Sequence, residues 1–126
     1  MAAALPWHES HGAASAELGG TETALLAHVA VETYSVLTRL PPPQRVPPPV
    51  ALAYLRETFD EPPLPLSADG YARLVEQAAD ESITGGAVYD ALVAATALEA
   101  GATLLTLDRR AVTTYRLLGA PYGLVA

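Results

Sequence analysis

The chain has no cysteine among its 126 residues, which excludes disulfides and thiolate chemistry and suits a reducing cytoplasm, the compartment we expect. Basic residues are also scarce. Seven Lys and Arg face 14 Asp and Glu, giving a formal net charge of −7. Such a surface cannot hold nucleic acid by neutralising phosphates over a broad area. Any contact with RNA or DNA must be local, bridged by metal ions or helped by a partner, and an acidic balance suits a cation site equally well. No apolar run reaches the ~20 residues that a membrane-spanning helix needs. The opening MAAALPWHES lacks the basic region ahead of an apolar core that marks a secretory signal, and no internal repeat occurs. What is present is a 51% hydrophobic chain, which should fold as a globule rather than stay disordered. Its length suits one domain over residues 1–126.

Proline supplies the punctuation. PPPQRVPPP (41–49) reads as a stiff connector between two helices, because proline stops one helix and suits the first turn of the next. It could otherwise serve as a polyproline ligand. Ser10 to Leu18 reads as helical and TALLA (23–27) as a short buried strand. Helices are expected over 29–40, 49–59 and 67–80, the last capped by Ser67, with a short strand at Leu64 to Leu66. Gly85-Gly86 introduces a long helix to Ala100, and Gly101 sits where that helix would reverse. TLLTL (103–107) is a buried strand, followed by a helix over 111–118 and an edge strand at YGLV. Helices alternating with short apolar strands argue for an α/β sandwich around a parallel sheet.

Three carboxylates lie in apolar settings. The helix from Val88 to Ala100 is apolar nearly all round and should be buried. Asp90 lies in its first turn, where the helix dipole favours a negative charge. From Asp90 to Gly101 the helix runs about 16 Å at ~1.5 Å per residue. The strand from Thr103 to Asp108 returns about 16 Å at ~3.3 Å per residue. Asp108 therefore comes back to the level of Asp90, at the carboxyl end of a strand, where open α/β sheets place their sites. Glu32 shares a helical face with Val29, Val36 and Leu40, the stripe that should face the sheet. Taken singly, the three could be a helix-start charge, a turn residue and an arginine partner. Together they repel one another, and burying them unpaired is costly. A divalent cation resolves that conflict, since hard oxygen donors suit magnesium and manganese.

The segments VAVETYSVLTRLP, GGAVYDALVAATALEAGATLLTLDRRA and YGLV resemble the PIN-domain ribonucleases, specifically the VapC toxins of bacterial VapBC toxin–antitoxin systems. The likeness covers about the last hundred residues. It implies a PIN-like three-layer α/β/α sandwich around a short, mainly parallel sheet. It also implies an Mg²⁺- or Mn²⁺-dependent endoribonuclease that is dimeric and inhibited by a VapB antitoxin. Of the family's four acids, Glu32 matches the second, Asp90 the third and Asp108 the fourth, and these become the candidate catalytic residues and metal ligands. On this reading Asp90 is the primary ligand, Asp108 completes the acidic pocket, and Glu32 holds a water or acts as base. Thr106 falls where the family often has a small hydroxyl residue. The family's opening strand, with its Asp, is not legible here. MAAALPWHESHGAA resembles the family's segment just after that strand, and Glu9 has no strand pattern around it to make it a substitute.

Other candidates are weaker. His8 and His11 have i, i+3 spacing but no third ligand, and His28 reads as a core or edge residue. Arg109 and Arg110 could meet RNA phosphates or simply be solvated. Gly85-Gly86 is no phosphate loop, because neither a lysine nor a strand–Gly–helix fingerprint accompanies it, and no serine sits in a nucleophile elbow. The main rival to the nuclease is a catalytically degenerate PIN-like module that binds or regulates a partner. A phosphatase on a similar scaffold ranks last, since its usual aspartate after a first strand is also absent.

Overall fold

Spacing along the chain decides much of the topology. The computed structural model describes residues 14–18, 22–59, 61–106 and 108–124. His8, Glu9 and His11 lie outside the described residues, as does the start of the expected helix over 10–18. Where that segment is described it is a strand, β1 (Ala14–Leu18), followed by β2 (Glu22–Leu25). Ala, Glu and Leu are good helix formers, so ASAEL reads as helix by itself. Pairing on both edges overrides that propensity: Ala16 lies opposite Ala24 of β2 and opposite Leu104 of a later strand.

Only three residues separate β1 from β2. A parallel connection needs a crossover of a dozen or more residues, so the pair must be antiparallel, as observed. Leu26, fully buried, passes the chain directly into helix α1 (Ala27–Arg39). The proline-rich stretch then connects α1 to α2 (Pro48–Thr58), which begins on Pro48, one residue before the expected start, with proline in its first turn. The anticipated strand at 64–66 shrinks to one parallel bridge between Leu64 and Leu26. Helix α3 (Ala68–Asp80) starts at Ser67, whose hydroxyl accepts from the Gly70 N–H at 2.9 Å.

Next come α4 (Ala87–Ala100), β3 (Thr103–Thr106), α5 (Val112–Leu118) and β4 (Tyr122–Leu124). Gly101, at φ 69°, ends α4 in the left-handed region, and the Ala102 N–H turns back to the Ala97 carbonyl at 2.9 Å. The sheet order is β2-β1-β3-β4. β3 and β4 are parallel, joined through α5, whereas β1 runs antiparallel to both its neighbours. The α/β sandwich is as expected. The sheet within it is mixed rather than mainly parallel, because the short β1–β2 connection forces the hairpin.

α4 touches α1, α3, α5 and β3, and six of its residues from Ala91 to Ala97 are buried. On one side of it the main core gathers Ala16, Leu26, Val29, Leu104 and Tyr115. On the other, a smaller cluster of Leu66, Leu74, Ala78 and Leu92 joins α3 to α4. A clip reinforces that second contact: Glu99 accepts from the Ser67 backbone N–H at 2.9 Å and from its hydroxyl at 2.6 Å. The central, closely packed helix thus carries Asp90 at one end and this clip at the other. Among the described residues no helix is long and apolar enough to cross a membrane.

Candidate active site

Glu32, Asp90 and Asp108 come from three separate elements and line one open cleft of about 620 Å³. Each arrives for a local reason. Val29, Thr33, Val36 and Leu37 form the buried stripe of α1. Glu32 stands at the margin of that stripe and is exposed in the cleft, so the expectation that it would be buried against the sheet needs correction. Asp90 is half-buried in the first turn of α4, where neighbouring Ala91 is fully buried. Asp108 follows the end of β3, with its side chain 12% exposed.

Asp108 is held by its surroundings on two sides. Its backbone N–H donates to the Thr106 hydroxyl at 3.0 Å. Its carboxylate accepts from the Arg110 backbone N–H at 2.9 Å and lies 3.5 Å from the Arg110 guanidinium. Thr106 is fully buried and also hydrogen-bonds the phenol of Tyr115, a residue only 1% exposed. Burial pushes the Tyr115 phenol well above its ordinary value; the Thr106 hydroxyl opposes that shift, and the three acids nearby add to it. Tyr115 is therefore a neutral strut beneath the site rather than a proton carrier.

Asp90 reports the tension in the cleft. Its carboxyl is raised above the ordinary 3.8, first by burial and then by the Asp108 charge; Arg110 lowers it, and Glu32 raises it again. Arg110 offsets only part of the like-charge repulsion. That imbalance, with an all-oxygen donor set, is what a hard divalent cation relieves. Among the described residues no three His, Cys, Asp or Glu side chains stand close enough to ligate one ion together. A hydrated cation does not require that, since magnesium characteristically keeps several waters and takes one or two carboxylates. Asp90 and Asp108, two carboxylates on one cleft, are of the donor type such an ion takes.

Four further cleft residues carried no sequence signal for the site: His28, Arg39, Tyr89 and Thr114. His28 does not sit in a core, because its ring stacks on Tyr89 at the cleft, with centroids 5.6 Å apart and planes 10° apart. Of the arginine pair, Arg110 lines the cleft, while Arg109 is exposed and is not among its walls. Helical spacing could have placed His28 one turn from Glu32, but nothing in the sequence pairs it with Tyr89.

The chain belongs to the PIN domain family, whose model matches residues 2–117. Among its relatives, ribonuclease VapC40 of Mycobacterium tuberculosis is 51% identical over 119 residues, covering 94% of this chain and 88% of that protein. Ribonuclease VapC27 of the same organism is 47% identical over 112 residues, covering 89% of this chain and 81% of that protein. No solved structure gives a significant match.

Proposed function

We propose that this chain is a VapC-type toxin, a metal-dependent endoribonuclease that hydrolyses RNA phosphodiester bonds and works in the cytoplasm. The observation that carries the reading is the meeting of Glu32, Asp90 and Asp108 on one cleft, with the Asp90 carboxyl raised first by burial and then by its acidic neighbours. Membership of the PIN domain family and 51% identity to a protein named as a ribonuclease support it.

Asp90 and Asp108 would hold Mg²⁺ or Mn²⁺. When bound, such an ion makes water a stronger nucleophile near neutral pH and offsets charge building on the phosphate. Glu32, exposed in the cleft, orients the attacking water and takes its proton. The water oxygen bonds to phosphorus as a bridging P–O bond breaks, and the departing ribose oxygen takes a proton from solvent. Arg110 and Arg39, both on the cleft wall, meet the phosphate oxygens. Thr106 and the Arg110 backbone keep Asp108 in place, so little reorganisation accompanies the step.

We further assign the protein a homodimeric state and a VapB-type antitoxin. An arginine from that antitoxin would neutralise the acids and displace the cation. A second, apolar groove of about 430 Å³, lined by Leu52, Leu55 and Phe59 among others, offers an apolar segment somewhere to rest. The test is Mn²⁺-dependent cleavage of a folded RNA pool, beside Asp90→Asn and EDTA controls. Cleavage lost in both controls is the expected result. Absence of cleavage by well-folded protein would overturn the nuclease reading in favour of a degenerate, partner-binding module.

A further inference from the structure

The acidic cleft poses a problem of affinity. With a net charge of −7 and three carboxylates at the site, phosphate attraction is limited to Arg39, Arg110 and a bound cation, so contacts that are not ionic add to affinity here. The cleft offers one such contact. Tyr89, which immediately precedes Asp90 on α4, is 59% exposed. Its ring lies on that of His28, which stands one helical turn before Glu32 on α1. A 10° interplanar angle with centroids 5.6 Å apart is an offset stack. His28 thus overlaps part of one face of Tyr89, while the tyrosine as a whole stays largely exposed. Two elements that each carry a site acid therefore also build a flat, pre-oriented aromatic surface beside those acids.

We propose that the open face of Tyr89, backed by His28, is the stacking platform for an unpaired base next to the scissile phosphate. The proposal rests on the ribonuclease reading and adds a specificity determinant to it. Bases within a duplex already stack on their neighbours and cannot reach a protein ring, whereas a base in a loop can splay out onto one. A continued stack of base, Tyr89 and His28 is tolerant of base identity, because every base has a π-face. Arg110 and Arg39, on the same cleft, are available to the adjoining phosphates. The other exposed tyrosines, Tyr34 and Tyr71, do not line the cleft and make no such surface.

The test uses the intact protein and a single-stranded RNA carrying one 2-aminopurine, alongside the same sequence as a duplex, with Mn²⁺ present. Stopped-flow fluorescence reads stacking before turnover, and cleavage is followed in the same reaction. Wild type should quench the single strand and not the duplex. Tyr89→Ala should lose the quench and raise KM by about 5- to 150-fold, the equivalent of ~1–3 kcal/mol for one stacked base, with kcat within about threefold. Tyr89→Trp should keep both, and Tyr71→Ala should match wild type. Unchanged far-ultraviolet dichroism in Tyr89→Ala would exclude misfolding as the cause. An equal quench and KM in Tyr89→Ala overturns the proposal, as does equal use of duplex. A defect in Tyr89→Ala confined to binding a protein partner would assign the ring to that partner instead. Cleavage without a Tyr89-dependent quench removes the platform and leaves the nuclease. A Tyr89-dependent quench without cleavage removes the nuclease and leaves a site that binds single strands.

Discussion

Thr106→Val tests the strut beneath the site. Thr106 is fully buried, and its hydroxyl serves two partners at once, the Asp108 backbone N–H at 3.0 Å and the Tyr115 phenol. Valine has nearly the same shape and suits a strand, so the substitution leaves no cavity and isolates the polar loss. Two hydrogen bonds at ~1 kcal/mol each are removed, and the Tyr115 phenol, 1% exposed, is left to find another partner. The half-buried Asp108 N–H can recruit water, which limits its share. The sum is about 2–4 kcal/mol, or a fall in Tm of roughly 6–15 °C for a domain of this size. Urea denaturation of Thr106→Val, Tyr115→Phe and the double variant closes the cycle. The double variant should cost less than the two singles added, by about 1–2 kcal/mol, because Tyr115→Phe removes the orphaned phenol. Metal-dependent cleavage should fall at least tenfold in Thr106→Val, through loss of the anchor on Asp108. A stability within ~0.5 kcal/mol of wild type, or strictly additive singles, would refute the strut.

Other perturbations read the remaining elements. The Asp90 carboxyl binds its proton more tightly in the folded state than unfolded, so its ionisation opposes folding. That penalty is absent below 3.8, grows as pH rises through the higher folded-state value, and is complete at neutrality. Asp90→Asn should therefore melt higher than wild type at pH 7, by no more than ~1 kcal/mol given the screening of a half-exposed group, with the gap closing near pH 3. Mg²⁺ should raise the Tm of wild type but not of Asp90→Asn. Ser67→Ala removes the α3 cap and should cost about 1 kcal/mol in chemical denaturation. The Ser67 hydroxyl, followed by its backbone N–H, holds the Glu99 carboxyl below its ordinary 4.5. The stability from that clip is present above 4.5 and is lost as pH falls through the lower folded-state value, so Ser67→Ala should flatten the acid limb of the stability profile. Leu104→Ala, at a fully buried position opposite Ala16, should cost about 3–5 kcal/mol with the site residues unaltered.

Much of this molecule is legible in its residues alone. The prolines at 41–49 separate α1 from α2, Ser67 and Gly101 mark helix ends, and the matched lengths of α4 and β3 bring Asp108 back to the level of Asp90. The breaks and helix ends are local properties, carried by a few neighbouring dihedrals and hydrogen bonds, whereas the meeting of Asp108 with Asp90 also needs α4 to pack on β3. The ASAEL segment misled because its residues favour a helix, and only pairing with β2 and β3 makes it a strand.

Helices α1 to α5, the α/β class and the three acids worth watching follow from residue order alone. Only packing between elements makes the sheet mixed and leaves Glu32 exposed in the cleft rather than buried. It also brings Arg39, Arg110, His28 and Tyr89 into that cleft with the acids. The physical reason is that periodicity places a side chain on one face of its own element. Which faces converge depends on how α1 and α4 pack together, in a core that gathers Val29, Val93 and Leu104 from positions dozens of residues apart.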